Sequence, residues 1–583
     1  MATEKFRNEI AEHFSEAVAA DDALVKECAN ICKMYNISAE NLSYKWQALS
    51  YSTTSSLSIF TSKSVPDLKA RLHQEQGRAN VSKQETGTRS HAPAKFGRAR
   101  GQPGVISNAS ISRSLDAPLN VGPLRSSIVK TEVTQVAGPS RVAFEGPRSD
   151  PTSYQKRAYR YMYEKVSERS EALDDRIDEF ADLVQRHYHI DELGDPDAAT
   201  EEPVTIVGRI VLDAEASSSS AKLNESSLVL ESSRMMGSGV RVPLRLAPET
   251  KLRGGLKGIN GIGFFPGAIV ALRGRNGGGG FFLVDEILEL PPINAPSPPP
   301  SDPNATFSMC IACGPFTADA DLEYKSWTKF LDVLRSTRPA VVLLLGPFID
   351  VSNSRIKEGE INETPETLFQ LQFIDKIREF LAQSPRSLVL IVPSVSDIIS
   401  DHAVFPQREF EAEFSSGDLV SHHRIRLLPN PCRFTVNGVT FGVTSVDVLF
   451  HLRKEEYFRR TEEVEPLTAA YEVAVDPMSN LARNILQQRS FYPIFPVPLD
   501  VAHEVNLDAT HSEGLKLIES EMDAAPDVLI LPSRLKQFAK VVDTSMFVNP
   551  SFLSKGTYAT LSYAGQEAGL PKDRIRTEIS KLS

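Results

Sequence analysis

The residues best suited to chemistry stand at the ends of apolar runs in the C-terminal half of the chain. The run "VVLLLGPFID" (341–350) leads through a Gly-Pro turn to Asp350, and "SLVLIVPSVSD" (387–397) ends in Asp397. Enzymes that hydrolyse phosphoesters with two metal ions place Asp, Asn and His at such strand ends, because each metal needs several nitrogen or oxygen ligands. These strand ends are therefore the candidate active site.

Most of the ligands that a two-metal centre needs are missing there. Such a centre uses Asp-x-His after the first strand, Gly-Asp-x-x-Asp after the second and Gly-Asn-His after the third, with further histidines later. The corresponding stretches here are "CIACGPF", "GPFID", "VPSVSD", "LILPS" and "VNPSFL", and none contains histidine. Pro347 stands where a bridging aspartate would, and proline has no side-chain oxygen.

The sequence therefore predicts a vestigial phosphoesterase site with no catalytic, metal-binding or cofactor-binding residues, and a protein that is not an enzyme. The residues of this vestigial site are Gly346, Pro347, Asp350, Ser394 and Asp397. Two carboxylates cannot hold two metal ions. The alternative is an active metallophosphoesterase that uses unusual ligands.

The cysteines suggest core packing rather than metal binding or redox chemistry. Cys310 and Cys313 form a CxxC, but no second pair follows, and a structural zinc needs four ligands. The pair also lies in a predicted buried strand, where a redox motif would precede a helix. Five cysteines in 583 residues fit a reducing compartment.

The elements that must position the strand ends alternate between apolar runs and amphipathic helical patterns. This alternation predicts a layered α/β domain of the phosphoesterase type over residues 305–583. A Pro-rich linker, 293–304, precedes it. Across 201–292 the period changes to two, and five short strands split by Gly, Ser and Asn turns predict an OB-fold barrel. Residues 151–200 form a helical connector.

The N-terminal part consists of a small helical unit and a long segment without periodicity. Residues 1–50 predict three short helices and a docking domain, since they carry no pocket chemistry. Residues 51–150 are rich in Ser, Pro, Gly and Arg, which predicts a disordered basic linker. Such a linker makes at most weak contact with nucleic acid.

The composition excludes several classes of protein. The formal net charge is -11, which argues against a clamp that encloses DNA, and no apolar stretch is long enough to cross a membrane. The charged N-terminus does not predict a secretion signal.

Several ordered strings resemble the B subunits of eukaryotic replicative DNA polymerases, most closely that of the DNA polymerase alpha–primase complex. The resemblance covers residues 150–583 and rests on the strings "GPFID", "VPSVSDIISDHAVFPQ", "NPCRFTVNGVTFGVTSVDVLFHL", "QRSFYPIFP", "PDVLILPSRLKQFAK", "VNPSFLSKG", "GRIVLD", "KLNESSLVLE" and "FPGAIV". Another replicative polymerase, delta or epsilon, is the alternative within this family.

The resemblance implies a non-catalytic scaffold in the nucleus that supports primer synthesis. It implies that the OB and phosphoesterase-like domains bind the C-terminal zinc-bearing domain of the catalytic subunit, within a complex that includes the primase subunits. It also implies that the N-terminal domain binds other replication factors.

One segment, "RSFYPIFP" (489–496), combines aromatics and prolines in a way that suits a binding surface. Prolines hold a segment extended, and aromatics and arginine are enriched at the energetic centres of interfaces. The sequence predicts partner contacts by Arg489, Phe491, Tyr492 and Phe495. The alternative is that these rings pack in the core of the α/β domain.

Overall fold

The computed structural model describes most of the chain after residue 141 and scattered parts before it. The described residues are 7, 10, 14, 18, 20–35, 39–54, 60–61, 64–65, 68–69, 142–147, 165–212, 222–295, 305–319, 321–400, 403–410, 423–469, 473–518, 524–565 and 574–582. Most of the predicted linker lies outside them. The chain divides into two units, Met1–Ser126 and Ser127–Ser583. In the described parts, no helix is long and apolar enough to cross a membrane.

The helices of the described residues are α1 Asp22–Tyr35, α2 Ala39–Thr54, α3 Val166–Tyr188, α4 Arg234–Gly237, α5 Lys325–Thr337, α6 Ser354–Lys357, α7 Pro365–Phe369, α8 Asp375–Gln383, α9 Val448–Glu455, α10 Pro477–Gln487, α11 Ala502–Val505 and α12 Ser512–Leu515. A π-helical turn, Gln370–Ile374, joins α7 to α8. The strands are β1 Phe144–Glu145, β2 Val204–Leu212, β3 Leu228–Glu231, β4 Arg241–Arg253, β5 Gly261–Phe264, β6 Ile269–Arg275, β7 Phe282–Leu288, β8 Phe307–Cys313, β9 Val341–Leu345, β10 Leu388–Val392, β11 Ile425–Leu427, β12 Cys432–Val436, β13 Val439–Val443, β14 Tyr457–Arg460, β15 Glu462–Val464, β16 Val528–Ile530, β17 Phe538–Val542, β18 Ser545–Asn549, β19 Thr557–Tyr563 and β20 Ile575–Lys581.

The N-terminal unit is built around α1 and α2. The side chain of Asp21 accepts a hydrogen bond from the Leu24 amide at 3.3 Å, which satisfies a free donor at the start of α1. The apolar faces of the two helices share a core that also includes Phe60, Val65 and Leu68. The packed residues therefore continue past residue 50, the boundary predicted from the sequence.

The OB barrel closes with the five strands predicted from the sequence. Its strands follow the order β4-β3-β2-β6-β7, and a parallel pairing of β7 with β4 closes the ring. Alternate residues of each strand fill the interior, as the period of two requires. The glycine tract 277–280 joins β6 to β7 as an antiparallel hairpin, as predicted. The apolar face of α3, with Ile177, Phe180 and Val184, covers one side of the barrel.

Two facing six-stranded sheets form the rest of the second unit. One has the order β11-β10-β9-β8-β19-β20 and the other β1-β12-β13-β16-β18-β17. Strands β8, β9, β10 and β11 run parallel, so their carboxyl ends meet at one edge. A common apolar core lies between the sheets, and the apolar faces of α5, α7 and α8 cover the outer face of the first. This is the predicted α/β layering.

The first strand of the second sheet falls within the segment predicted as linker. In β1, Phe144 pairs with Val436 and Glu145 pairs with Thr435. Val142 and Phe144 are buried between the sheets. The expectation that 51–150 is linker throughout is therefore wrong at residues 142–147, because two apolar side chains and one pairing strand suffice to anchor this stretch.

Two consecutive strands from the α/β part, β14 and β15, join the OB barrel. Strand β14 pairs with β5, and β15 extends the barrel sheet beside β4. The carboxylate of Glu463 accepts hydrogen bonds from the amides of Gly258 (3.0 Å) and Asn260 (2.7 Å). The barrel and the α/β part are therefore connected by strand pairing as well as by the chain itself.

Candidate functional site

The structure brings the predicted vestigial residues together at the carboxyl ends of β9 and β10. The carboxylate of Asp397 accepts hydrogen bonds from the amides of Phe348, Ile349 (3.1 Å) and Ser394 (2.8 Å). It therefore holds the turn after β9 against the turn after β10. Asp397 is 3% exposed, so this carboxylate is a cross-link between two loops and is not open to a substrate.

The electrostatics of the two remaining carboxylates suit buried structural groups. Burial raises the pKa of Asp397 to about 8, although its three amide donors and their partial positive charge act in the opposite direction. Burial also raises the pKa of Asp350, whose carboxylate accepts the amide of Ser352 at 2.8 Å. A raised carboxyl pKa opposes metal binding, since a metal needs the deprotonated ligand.

Backbone packing leaves no room for a side chain at two glycines of the strand ends. A Cβ atom on Gly346 would lie 2.2 Å from Oδ2 of Asp397. A Cβ atom on Gly314, after β8, would lie 2.0 Å from the carbonyl oxygen of Pro347. The turns after β8, β9 and β10 therefore pack directly against one another.

A buried asparagine, Asn430, joins the turn before β12 to the turn after β13. Oδ1 of Asn430 accepts hydrogen bonds from the Thr444 hydroxyl (3.1 Å) and the Ser445 amide (3.1 Å). Its Nδ2 donates to the Ser445 hydroxyl at 2.8 Å. The side chain of Gln407 in turn donates to the carbonyl of Ser394 at 3.1 Å, which connects this turn to the end of β10. These side chains, of Asn430, Thr444, Ser445 and Gln407, all form contacts between loops.

The ends of β16 and β18 are joined by a second buried asparagine. Oδ1 of Asn549 accepts the amides of Ser533 and Ser551, both at 2.9 Å. All three residues are buried. The late strand ends, where a phosphoesterase would supply histidines, are thus closed by hydrogen bonds between neighbouring turns.

One histidine does lie near the strand ends, within a network of five polar side chains. Nδ1 of His451 lies 3.1 Å from the Tyr492 hydroxyl, and its Nε2 lies 3.3 Å from the Glu504 carboxylate. Arg534 bonds to Glu504 and to Asp447 (3.1 Å), which caps α9. His451 is fully buried, and each of its ring nitrogens has a protein partner. Among the described residues, no group of three or more His, Cys, Asp or Glu could hold a metal ion.

Sequence reasoning found Asp397, Asp350, Ser394 and the Gly-Pro turn but missed most of this hydrogen-bonded network. The residues missed are Gln407, Asn430, Thr444, Asp447, His451, Glu504, Ser533, Arg534 and Asn549. The sequence marks these residues only by their position, because polar residues that follow apolar runs lie at strand ends.

The cysteines pack as predicted. Cys310 belongs to the core under the outer helices, whereas Cys313 belongs to the core between the sheets. They face opposite sides of β8, so they cannot act as a pair. Burial raises the pKa of Cys310 to about 11, which disfavours a reactive thiolate.

The segment 489–496 is mostly internal. Phe491 is 1% exposed and Tyr492 is 2% exposed, and both lie in the core that joins the barrel to the second sheet. Arg489 is buried and donates to the carbonyl of Pro291 at 2.9 Å. The predicted partner contact does not fit these three residues, and the core alternative does, because the segment fills the seam between two domains. Phe495 stays partly exposed beside the Arg209 guanidinium, 5.3 Å from its ring centre.

Two family models match the chain in the regions described above. Residues 309–540 match the family of the DNA polymerase alpha/epsilon B subunit, and residues 170–290 match the OB domain of the DNA polymerase alpha B subunit. The second match covers the barrel and most of α3, and the first covers most of the two sheets.

Curated relatives from fungi and animals share the same name. The chain is 35% identical over 427 residues to the DNA polymerase alpha B subunit of Schizosaccharomyces pombe, in an alignment covering 70% of this chain and 69% of the relative. It is 29% identical to that of Saccharomyces cerevisiae, over 70% of this chain and 60% of the relative. It is 30% identical to that of Bos taurus, over 66% of this chain and 57% of the relative.

Proposed function

The chain belongs to the family of DNA polymerase alpha B subunits, and we propose that it is a non-catalytic scaffold that binds the catalytic subunit. In this role it supports the synthesis of primers at the start of DNA replication in the nucleus. The names of its relatives support membership of a DNA polymerase alpha complex.

The observation that carries the non-catalytic role is the closure of the strand ends. Asp397, Asn430 and Asn549 each join two turns by buried hydrogen bonds. A phosphoesterase needs side chains at these positions that are free to bind metal and substrate. We assign the two facing sheets to an inactive phosphoesterase-like domain on this basis, with its boundaries at residues 305 and 583.

The scaffold role is supported by the way the barrel and the sheets are joined. Strands β14 and β15 leave the α/β part and pair with barrel strands β5 and β4. The buried residues Phe491 and Tyr492 pack between the two parts. A partner that contacts both parts would therefore meet one preorganised surface, which lowers the ordering cost of binding.

The proposed partners are the C-terminal zinc-bearing domain of the catalytic subunit and, within the same complex, the primase subunits. The N-terminal unit, with its own core around α1 and α2, is proposed as a separate docking module for other replication factors. Of the four residues that the sequence predicts to contact a partner, Phe495 is proposed for this contact because its ring is partly accessible.

Co-expression with the catalytic subunit's C-terminal domain tests the scaffold. We expect a stable 1:1 complex by size-exclusion chromatography with multi-angle light scattering, and no chelator-sensitive hydrolysis of bis(p-nitrophenyl) phosphate. Asp350→Ala provides the matched control, since it removes a carboxylate at the vestigial site. Hydrolysis that is lost both with chelator and in this variant would show an active enzyme, and failure to form the complex would contradict the scaffold.

A further inference from the structure

Three exposed arginines line the outer wall of the OB barrel beside the β6–β7 hairpin. Arg245 of β4 and Arg275 of β6 are both in register with Leu283 of β7, so they flank that strand on the same face. Neighbouring strands lie about 4.8 Å apart, which sets the two Cα atoms roughly 10 Å apart. Arg273 lies two residues before Arg275 and is also exposed. We call Arg245, Arg273 and Arg275 the arginine wall.

None of the three arginines of the wall forms an ion pair with a described residue. Of the acidic side chains nearest in the strand register, Asp285, at the bulge of β7 opposite Arg273 and Gly274, forms no ion pair with a described residue. Two others are engaged elsewhere. Glu231 bonds to Arg209 (3.1 Å) and Arg241 (3.2 Å). Glu286 bonds to Arg253 at 2.8 Å. No ion pair with a described residue therefore holds the three arginines of the wall, although the whole chain has a net charge of -11.

An aromatic ring stands next to the wall. Phe281, at the start of β7, is partly exposed, and the Arg245 guanidinium carbon lies 3.9 Å from its ring centre. This contact holds the guanidinium in place by a cation–π interaction. The adjacent turn, residues 277–280, consists of four glycines, and a Cβ atom at Gly277, Gly278 or Gly280 would have no neighbour within 4 Å. The turn therefore leaves open space at these three glycines, whereas Gly279 lies against the ring, since a Cβ atom there would be 2.9 Å from Cε1 of Phe281.

We propose that the arginine wall and Phe281 form a binding site for single-stranded nucleic acid. Arginines that have no internal carboxylate partner can bind backbone phosphates. The partly exposed ring of Phe281 beside them offers a surface on which an unpaired base can stack. An acidic peptide would use the same charges but would not need the ring, which favours nucleic acid. Unpaired bases are required for stacking, which favours a single strand over a duplex.

Binding of a fluorescein-labelled oligothymidylate to the full chain, followed by fluorescence anisotropy, tests this site. An oligomer of about 20 nucleotides exceeds the site size of one OB fold. We expect Arg273→Ala/Arg275→Ala to weaken binding about tenfold and to reduce the slope of log K against log salt by about 1.4, since two phosphate contacts to a single strand are lost. Arg273→Lys/Arg275→Lys should retain most of the binding.

A matched double variant controls for net charge and for the basic segment before residue 148. Arg386→Ala/Arg576→Ala removes two exposed arginines far from the barrel in sequence and leaves that segment intact. We expect it to bind like the unchanged chain. Equal weakening by both double variants would overturn the site, because the effect would then be one of total charge. Unchanged binding by the Arg273/Arg275 variant would also overturn it.

The aromatic ring separates nucleic acid from other polyanions. Phe281→Leu should weaken binding of the oligothymidylate by at least about fivefold, the effect of one stacked base. The same substitution should leave binding of polyglutamate unchanged. If Phe281→Leu alters neither ligand, the wall is a general polyanion surface and the nucleic-acid site is wrong.

Discussion

The strand ends of the two sheets and the outer wall of the barrel use polar side chains in opposite ways. At the strand ends, Asp397, Asn430 and Asn549 are buried, and each bonds to at least two backbone or side-chain groups of neighbouring turns. On the wall, Arg245 and Arg275 are exposed and have no ion-pair partner among the described residues. The first region uses its polar groups for stability, whereas the second keeps them available.

This difference shows that residue type and location in the fold do not identify a functional site. The strand ends occupy the place where a phosphoesterase binds its metals, yet Asp397, Asn430 and Asn549 there are bonded to groups of neighbouring turns. A group that is already hydrogen-bonded and desolvated must give up those bonds before it can bind a ligand, and each lost bond leaves a partner unsatisfied. Availability therefore separates a structural polar group from a binding one.

The largest effect is expected at Tyr492, whose ring is buried and whose hydroxyl joins the network at the strand ends through His451. Tyr492→Ala should lower the free energy of unfolding by about 3–5 kcal/mol, the usual cost of deleting a buried aromatic ring. Urea denaturation followed by circular dichroism measures it.

Tyr492→Phe is the matched control, because it keeps the ring and removes only the hydroxyl. Its cost should be about 1 kcal/mol. A stable Tyr492→Ala variant with impaired binding of the catalytic subunit would instead place this ring at an interface.

The next largest effect is expected at Asp397. Asp397→Ala removes the acceptor of three buried amides, those of Phe348, Ile349 and Ser394. Because an unsatisfied buried group costs about 1–3 kcal/mol and the loops relax in part, we expect a loss of about 2–4 kcal/mol. Asp350→Ala should cost less than about 1 kcal/mol, since its carboxylate bonds only within its own turn. Equal losses in the two variants would show that Asp397 is no special cross-link.

Patterns along the chain predicted the layers of this fold well, because burial and period are local. The run Val341–Leu345 is buried on both faces as expected for a central parallel strand, and the five barrel strands are where the alternation puts them. The missing metal ligands could likewise be read from residue types alone, since a proline cannot bind a metal whatever surrounds it.

Contacts between distant parts of the chain were not predictable in this way. Residues 142–147 have only Val142 and Phe144 as apolar anchors, too few for a periodic pattern. Strands β14 and β15 are rich in charged residues and pair with strands about 200 residues earlier in the chain, so nothing local marks their partners. The network around Asn430 depends on turns that meet only after both sheets have formed.

A smaller effect, per unit of pH, is expected in the pH dependence of stability. Burial raises the pKa of Asp397 from 3.8 to about 8, so the folded chain holds this proton more tightly than the unfolded chain does. Unfolding then releases a proton between these values, and each pH unit of increase lowers the free energy of unfolding by up to about 1.4 kcal/mol from this group. The contribution is complete below the unfolded pKa and is lost as the pH rises through 8.

Asp397→Asn should remove this component while preserving the shape of the side chain. Urea denaturation of both proteins from about pH 5 to pH 7 measures the difference between their slopes, in which the other titrating groups largely cancel. Parallel slopes would mean that Asp397 has the same pKa in the folded and unfolded chains, and that its three amide donors offset its burial.

The smallest effect on stability is expected at Phe495, three residues after Tyr492 in the same segment. Its amide donates to the carbonyl of Pro266 at 3.0 Å in the barrel, but its ring stays partly exposed beside Arg209. Since little apolar surface is lost, Phe495→Ala should lower the free energy of unfolding by less than about 1 kcal/mol. If the ring contacts the catalytic subunit, the same change should weaken that complex by about 1–2 kcal/mol, measured by isothermal titration calorimetry.

Leu499→Ala is the control, because this side chain is 80% exposed and lies four residues farther along. Equal weakening by both variants would show a diffuse surface rather than an anchor at Phe495. A loss of stability as large as that of Tyr492→Ala would show that Phe495 belongs to the core. None of the four residues predicted to contact a partner would then be available to one.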